Sequence, residues 1–335
     1  MDGALDATSP CLRRHQTAIT QTVTMKRAHR VKIVIGTRGS KLALAQTEMV
    51  VQQLRTRWAD LNLEIKVIET RGDDSNTAIA DVRAGRKGLF TGAIERELIQ
   101  EKINLAVHSA KDLPSSLVPR TEIAAVLPRA AVDDVLVATA PYNLESLPPA
   151  GIVATGSVRR QHQLRWKRPD LEITDLRGNV PTRLRKLATG QWHGIVLAKA
   201  GLQRLGLNLG AEGAEFEGSR LFPTSLPIEI FLPAGGQGIV AMQIRSDNGQ
   251  LRELVEAISD FDTRLSLRAE REFLRLLQAD CNQPVGVLAT TKGTTMKIRA
   301  QIFDAGATTP RQAVMEGPSA GAERIAAELL QQING

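Results

Sequence analysis

Val31-Lys32-Ile33-Val34-Ile35-Gly36-Thr37-Arg38-Gly39-Ser40-Lys41-Leu42-Ala43-Leu44-Ala45-Gln46 opens as an apolar run, turns at a glycine and continues as a helix. Val31–Ile35 has the composition of a strand and stops at Gly36. Ser40 is a residue type that caps helix starts, because its hydroxyl accepts from a nearby backbone N–H. Leu42, Ala45, Met49 and Val50 then recur at helical spacing. A strand passing through a small polar turn into a helix is the unit of α/β folds.

The same unit recurs outward from this stretch. Leu63, Ile65 and Val67 alternate as on a strand, and Ile94 and Leu98 lie one helical turn apart after Gly88-Leu89-Phe90. Ile103, Leu105 and Val107 alternate into His108-Ser109-Ala110-Lys111-Asp112-Leu113-Pro114, where the proline stops any regular element. From Gly151 the rhythm restarts: strand Ile152–Ala154, turn Thr155-Gly156-Ser157, helix Val158–Lys167, strand Leu171–Thr174, turn Gly178-Asn179. Helix Thr182–Leu187 follows Pro181, then strand Ile195–Ala198 and helix Gly201–Leu205. Strands alternating with helices predict mainly parallel sheets. Pro233-Ala234-Gly235-Gly236-Gln237-Gly238 is a glycine-rich connection. After residue 247 the character changes to one long helical stretch, Leu251 to Leu277, then Cys281, an alternating run at Met296, Ile298 and Ala300, and a last helix from Ala320. This reads as a smaller α+β unit.

Aromatic residues are only 3% of the chain, so its cores must be built from Leu, Ile, Val and Ala. No apolar run approaches the roughly 18 residues of a membrane helix. The net charge is +7, part of it from Arg13, Arg14, Lys26, Arg27 and Arg30 against Asp2 and Asp6 in an aperiodic beginning. Residues 1–30 read as a disordered extension, with a transit peptide as the alternative. The other arginines are scattered among the strand–helix units, with no basic block and few stacking aromatics, which argues against nucleic acid. Cys11 and Cys281 show no metal-ligand spacing and no disulfide framework, so neither a metal nor an oxidising compartment is implied.

Three constellations could carry chemistry. Gly36-Thr37-Arg38-Gly39-Ser40, Thr155-Gly156-Ser157-Val158-Arg159-Arg160 and Leu176-Arg177-Gly178-Asn179 with Arg183 are polar, arginine-bearing turns before helices. Helix N-termini and guanidinium forks favour anions, and open α/β folds collect such turns on one edge. A ligand with several carboxylates or phosphates would suit them; ordinary caps and surface ion pairs are the plainer reading of any one turn. Asp112 follows a strand and could stabilise a cation or move protons, or serve only as a turn residue. Cys281, in Ala279-Asp280-Cys281-Asn282-Gln283-Pro284, is either a small buried hydrophobe or, given its polar setting, a reactive thiol.

Taken together and in order, these segments resemble the hydroxymethylbilane synthase (porphobilinogen deaminase) family. The resemblance rests on Ile35 to Gln46, Thr70-Arg71-Gly72-Asp73, Lys87-Gly88-Leu89-Phe90 and Val107 to Pro114. Ser157-Val158-Arg159-Arg160-Gln161, Leu176-Arg177-Gly178-Asn179-Val180, Ala200-Gly201-Leu202, Arg204-Leu205-Gly206, Leu232 to Gly238 and Ala269-Glu270-Arg271 extend it. It implies two type 2 periplasmic-binding-protein-like α/β domains, residues 31–128 with 228–246 and residues 129–227, and a smaller α+β domain, 247–335, carrying the cofactor cysteine. It implies a dipyrromethane cofactor thioether-linked to Cys281 and held by Lys111, Thr155, Ser157, Arg159 and Arg160. Asp112 would be the catalytic carboxylate. Arg38, Ser40, Gln46, Arg177 and Arg183 would bind the acidic arms of substrate and growing chain, with Lys87 and Phe90 in a loop over the cleft. The implied reaction condenses four porphobilinogen molecules, with loss of ammonia, onto the bound dipyrrole and releases hydroxymethylbilane by hydrolysis. A cytoplasmic monomer is implied, or a plastid one if the first residues are a transit peptide.

Some positions depart from the family pattern. Ala279-Asp280 stands where Gly-Gly commonly precedes the cysteine, and Gly92-Ala93 where Lys and Glu are frequent. A solute-binding protein for an organic anion is the competing reading, but it predicts a secretion signal and gives Cys281 no role.

Overall fold

The structure, a computed structural model, describes residues 32–70, 91–207, 212–279 and 283–335. The opening unit forms as its sequence dictates. β1 (Ile33–Thr37) leads to α1 (Lys41–Arg57), and Ser40 Oγ accepts from the Ala43 N–H at 3.3 Å. β2 (Leu63–Val67), α2 (Gly92–Ile99), β3 (Leu105–Ser109) and β4 (Thr121–Val126) follow. The chain then crosses to a second body: β5 (Asp134–Ala138), β6 (Ile152–Ala154), α3 (Val158–Lys167), β7 (Glu172–Thr174), α4 (Val180–Thr189), β8 (Gly194–Ala198), α5 (Lys199–Arg204), β9 (Ala214–Phe216) and β10 (Ser219–Ser225). It returns through β11 (Val240–Arg245) and α6 (Gly249–Glu256), and ends with α7 (Phe261–Leu276), β12 (Val285–Lys292), β13 (Thr295–Ile302), β14 (Arg311–Pro318) and α8 (Ala322–Asn334).

The first sheet has the order β2-β1-β3-β11-β4, and the second β7-β6-β8-β5-β10-β9. Apart from the extra edge strand β9, the two orders are the same. Each has three parallel strands, then one antiparallel strand entered directly from the other body, then a fifth strand beyond it. The expectation of mainly parallel sheets is corrected by this exchange: β5 and β11 each enter by a crossover and run against their neighbours. The third sheet, β12-β13-β14, is wholly antiparallel.

The expected single helix from Leu251 to Leu277 is two. Asp260 breaks it, its carboxylate accepting from the Thr263 N–H at 2.8 Å to cap α7 while its own N–H donates to the Val126 carbonyl. Leu251 and Val255 of α6 bury with Ile33, Leu105 and Met242 against the first sheet. Leu265, Ala269 and Phe273 of α7 instead bury with Val287 and Ile298 of the third sheet and Leu329 of α8.

One buried ion pair ties the third body to the crossovers. Glu270 on α7 is fully buried. It pairs with Arg129 of the outward crossover (Nη1 to Oε1, 2.5 Å), and accepts from Gly236 N–H of the return crossover at 2.6 Å and Ala289 N–H of β12 at 2.8 Å. Removing one partner of such a pair leaves an uncompensated buried charge. Glu270→Ala is therefore expected to destabilise the chain by about 3–5 kcal/mol in urea unfolding, whereas Glu272→Ala, at a largely solvent-facing pair with Arg275 on the same helix, should cost less than about 1 kcal/mol.

Candidate active site

Asp112 closes a short 3-10 turn, Ala110–Asp112, at the carboxyl end of β3, the edge at which open α/β sheets present their ligand-binding turns. Its carboxylate is about a third exposed (36%) and faces Arg38, on the turn after β1, at 4.0 Å. That separation is beyond hydrogen-bond reach. Lys111 beside it is lowered to about 8 by burial and by Arg160 and Arg159, with Asp112 and Asp134 opposing. Arg183, in the first turn of α4, is lowered to about 10 by burial and by Arg160, while Asp112 and Asp175 hold it up. The turns of the first sheet, with Arg38, Lys111 and Asp112, thus share one electrostatic space with Arg160 and Arg183 of the second.

In the second sheet, the turns after β6 and β7 are pressed together. A Cβ on Gly156 would stand 2.6 Å from the Leu176 carbonyl oxygen, so a side chain there would force the turns apart. Thr155 is buried and its Oγ1 accepts from Ser157 N–H at 3.3 Å. Ser157 occupies the cap position of α3 without a side-chain cap bond. Arg159 and Arg160 follow and are buried against Asp134, at 2.8 and 2.7 Å. Arg159 Nη1 also donates to Gln163 and to the Leu232 carbonyl, and Arg160 Nη1 to the Val196 carbonyl. The Nε atoms of both arginines have no hydrogen-bond partner. Burial alone would raise the Asp134 carboxyl, but the two guanidiniums outweigh it and hold it well below the usual carboxylate range.

The remaining expected residues are placed less centrally. Arg177 pairs with Asp175 at 2.6 Å on the surface, and Arg183 Nε donates to the Gly178 carbonyl at 2.7 Å. Ser40 serves its helix as a cap. Gln46 is buried, with its amide nitrogen 2.8 Å from Ser109 Oγ, which braces the exit of β3 beside Lys111. Lys87, Phe90 and Cys281, and Asp280 before it, lie outside the described residues.

Three contributors were not singled out in the sequence. Asp134 has a legible signal, since an acid beginning the apolar strand Asp134–Ala138 needs a buried cation. Gln237 donates to that same carboxylate at 2.8 Å and to the Val132 carbonyl at 2.7 Å. Arg204 on α5 donates to the Gly238 carbonyl at 2.6 Å and is lowered to about 10 by burial. Neither of these two has a pattern that sequence spacing exposes.

Residues 33–253 match the family model described as porphobilinogen deaminase, dipyromethane cofactor binding domain, and residues 265–334 match that of the porphobilinogen deaminase C-terminal domain. The chain belongs to the porphobilinogen deaminase family. It is 44% identical over 271 residues to the porphobilinogen deaminase of Syntrophomonas wolfei, covering 80% of this chain and 84% of that one. It is 38% identical over 303 residues to that of Moorella thermoacetica, covering 90% and 93%. The repeated strand order, with one exchanged strand in each sheet, is the type 2 periplasmic-binding-protein-like plan expected of a porphobilinogen deaminase.

The side chains fit the family's dipyrromethane. Four acidic arms need cations, and Lys111, Arg159, Arg160 and Arg183 outnumber the carboxylates of Asp112, Asp134 and Asp175 that act on them. The depressed Asp134 carboxyl also has a stability consequence. Its stabilisation is complete above the unfolded pKa of about 4 and is lost as pH falls through the lower folded value. Asp134→Asn should lower stability at neutral pH and flatten the fall in unfolding free energy below about pH 4. Denaturant unfolding at stepped pH reads both.

Proposed function

We propose that Asp112 is the catalytic carboxylate of this hydroxymethylbilane synthase, with Arg38, Lys111, Arg159, Arg160 and Arg183 holding the acidic arms around it. The family's reaction joins four porphobilinogen molecules, with loss of ammonia, to an enzyme-bound dipyrromethane and releases hydroxymethylbilane for tetrapyrrole biosynthesis. When bound, the dipyrromethane supplies the nucleophilic pyrrole carbon at which the chain grows. Cys281 is its proposed anchor, and the polar segment Gln283-Pro284 after it suits an accessible thiolate.

The observation that carries this reading is the contrast among three acids. Asp134 is saturated by two guanidiniums and Asp175 is paired with Arg177 at 2.6 Å, but Asp112 stands 4.0 Å from Arg38 with a third of its surface open. Departure of ammonia from porphobilinogen leaves a cationic azafulvenium. Asp112 can stabilise that cation and move a proton to or from the pyrrole nitrogen. Arg38 and Arg183 orient the substrate's carboxylates by paired N–H donors. Thr155 and Ser157, with the start of α3, add hydroxyl and backbone donors for the dipyrrole arms. Ser40, Gln46 and Arg177 complete the proposed substrate contacts, and Lys87 and Phe90 a covering loop.

The packing supports a division into residues 31–128 with 228–246, residues 129–227, and a third domain, with α6 counted in the first because Leu251 and Val255 bury there. No helix among the described residues is long and apolar enough to cross a membrane. A cytoplasmic monomer acting on a small acidic pyrrole is the proposed working form.

Intact mass of the purified chain should show a covalent dipyrrole adduct, mapping to the peptide with Cys281 and missing from Cys281→Ser. An active chain with unmodified mass would overturn the anchor. Asp112→Asn should still bind porphobilinogen yet lose at least about a hundredfold in turnover, the scale of general acid–base catalysis. Near-normal turnover in that variant would remove Asp112 from the chemistry.

A further inference from the structure

Glu270 and Arg271 are consecutive on α7, outside the arginine turns, yet both reach the segment that bears Asp112. Arg271 Nη2 donates to the Pro114 carbonyl at 2.9 Å and to the Ser115 carbonyl at 3.0 Å. Burial lowers this guanidinium to about 10, and Glu95 on α2 opposes that shift. Glu270 acts on the other end of the segment through Gly236, whose N–H it accepts at 2.6 Å. Gly236 has φ +76°, and a Cβ there would lie 2.9 Å from both the Ala110 carbonyl carbon and the Lys111 nitrogen. The glycine therefore lies directly against the peptide that precedes Lys111. Between the two grips, Leu113 is buried and its N–H closes on the Ala110 carbonyl at 3.2 Å.

The segment from Ala110 to Ser115 is thus held by α7 directly at its far end and through Gly236 at its near end, with Asp112 between. We propose that Arg271 is a positioning residue for Asp112: by holding the Pro114 and Ser115 carbonyls it fixes where the carboxylate stands relative to Arg38 and Lys111. The helix that leads in sequence to Cys281 then also sets the acid on which the reaction depends. A displacement of about 1 Å at such a group can cost about a hundredfold in rate without weakening substrate binding. This inference rests on the assignment of Asp112 as the catalytic carboxylate.

The test is a double-mutant cycle on the full-length, cofactor-loaded chain, with loading checked by intact mass. The readouts are steady-state turnover and the single-turnover rate of the first porphobilinogen addition. Arg271→Met is expected to lower kcat at least about tenfold while KM stays within about twofold, and Arg271→Lys, which keeps a donor, should recover part of the loss. In the Asp112→Asn background, Arg271→Met should remove less than about a further twofold, because both act through one group. Unchanged kcat in Arg271→Met, or a full multiplicative loss on top of Asp112→Asn, overturns the proposal and leaves the role of Asp112 standing. If Arg271→Met fails to fold or load, Arg271→Gln replaces it in the same cycle under the same criteria. Near-normal turnover in Asp112→Asn alone overturns the assignment of Asp112, and the positioning role with it.

Discussion

Asp134 is a carboxylate with no exposed surface, held between the guanidiniums of Arg159 and Arg160 and by the amide of Gln237. These partners come from different parts of the chain. Asp134 begins β5 just after the outward crossover, the arginines open α3, and Gln237 belongs to the return crossover. Taking three charges out of water is costly, so the cluster is weak evidence for stability as such. What it fixes is registry. If β5 slid by one residue, Asp134 would leave its cations and three buried charges would lose their compensation. The same cluster fixes Arg160, whose charge acts on Lys111 and Arg183, so the alignment of the second sheet and the electrostatics of the cleft follow from one arrangement.

The cleft holds more positive charge than its own acids balance, and the shifts record this. Burial lowers Lys111 and Arg183, and the repulsion of Arg160 lowers them further. An anionic group that binds the folded chain relieves that repulsion and stabilises the fold by mass action. In the proposed site, a bound dipyrromethane would act as a structural counter-ion as well as the point of chain growth. Each added pyrrole brings two further carboxylates, and Arg177, among the proposed substrate residues, is exposed.

The fold was largely legible because its signals are local. Ser40 caps α1 and Pro181 opens α4, as their residue types require. Ile152–Ala154 and Val158–Lys167 form the predicted elements with the predicted bounds. What failed was non-local. Ser259-Asp260 looked like the interior of an amphipathic helix, and the bond from Asp260 N–H to the Val126 carbonyl, together with its carboxylate cap on Thr263 N–H, makes it a boundary. The antiparallel strands β5 and β11 are as apolar as parallel ones, so their direction depends on which body the chain has just left. The site divides in the same way: arginines in turns are visible by spacing, whereas the grips of Glu270 and Arg271 on remote backbone carry no periodicity.

The exchanged strands also set an order of events for a chain still being made. β3 and β4 are separated in their sheet by β11, which pairs Met242 with Val107 on one side and Ile244 with Glu122 on the other. Until β11 has been synthesised, β3 and β4 each have an unsatisfied edge, and the second body must be translated before the first can close. Pairings of such sequence separation are slow to form, and open edges invite pairing with other chains. The first half of this protein is thus not a domain that finishes folding as it emerges, because its sheet stays open until β11 arrives.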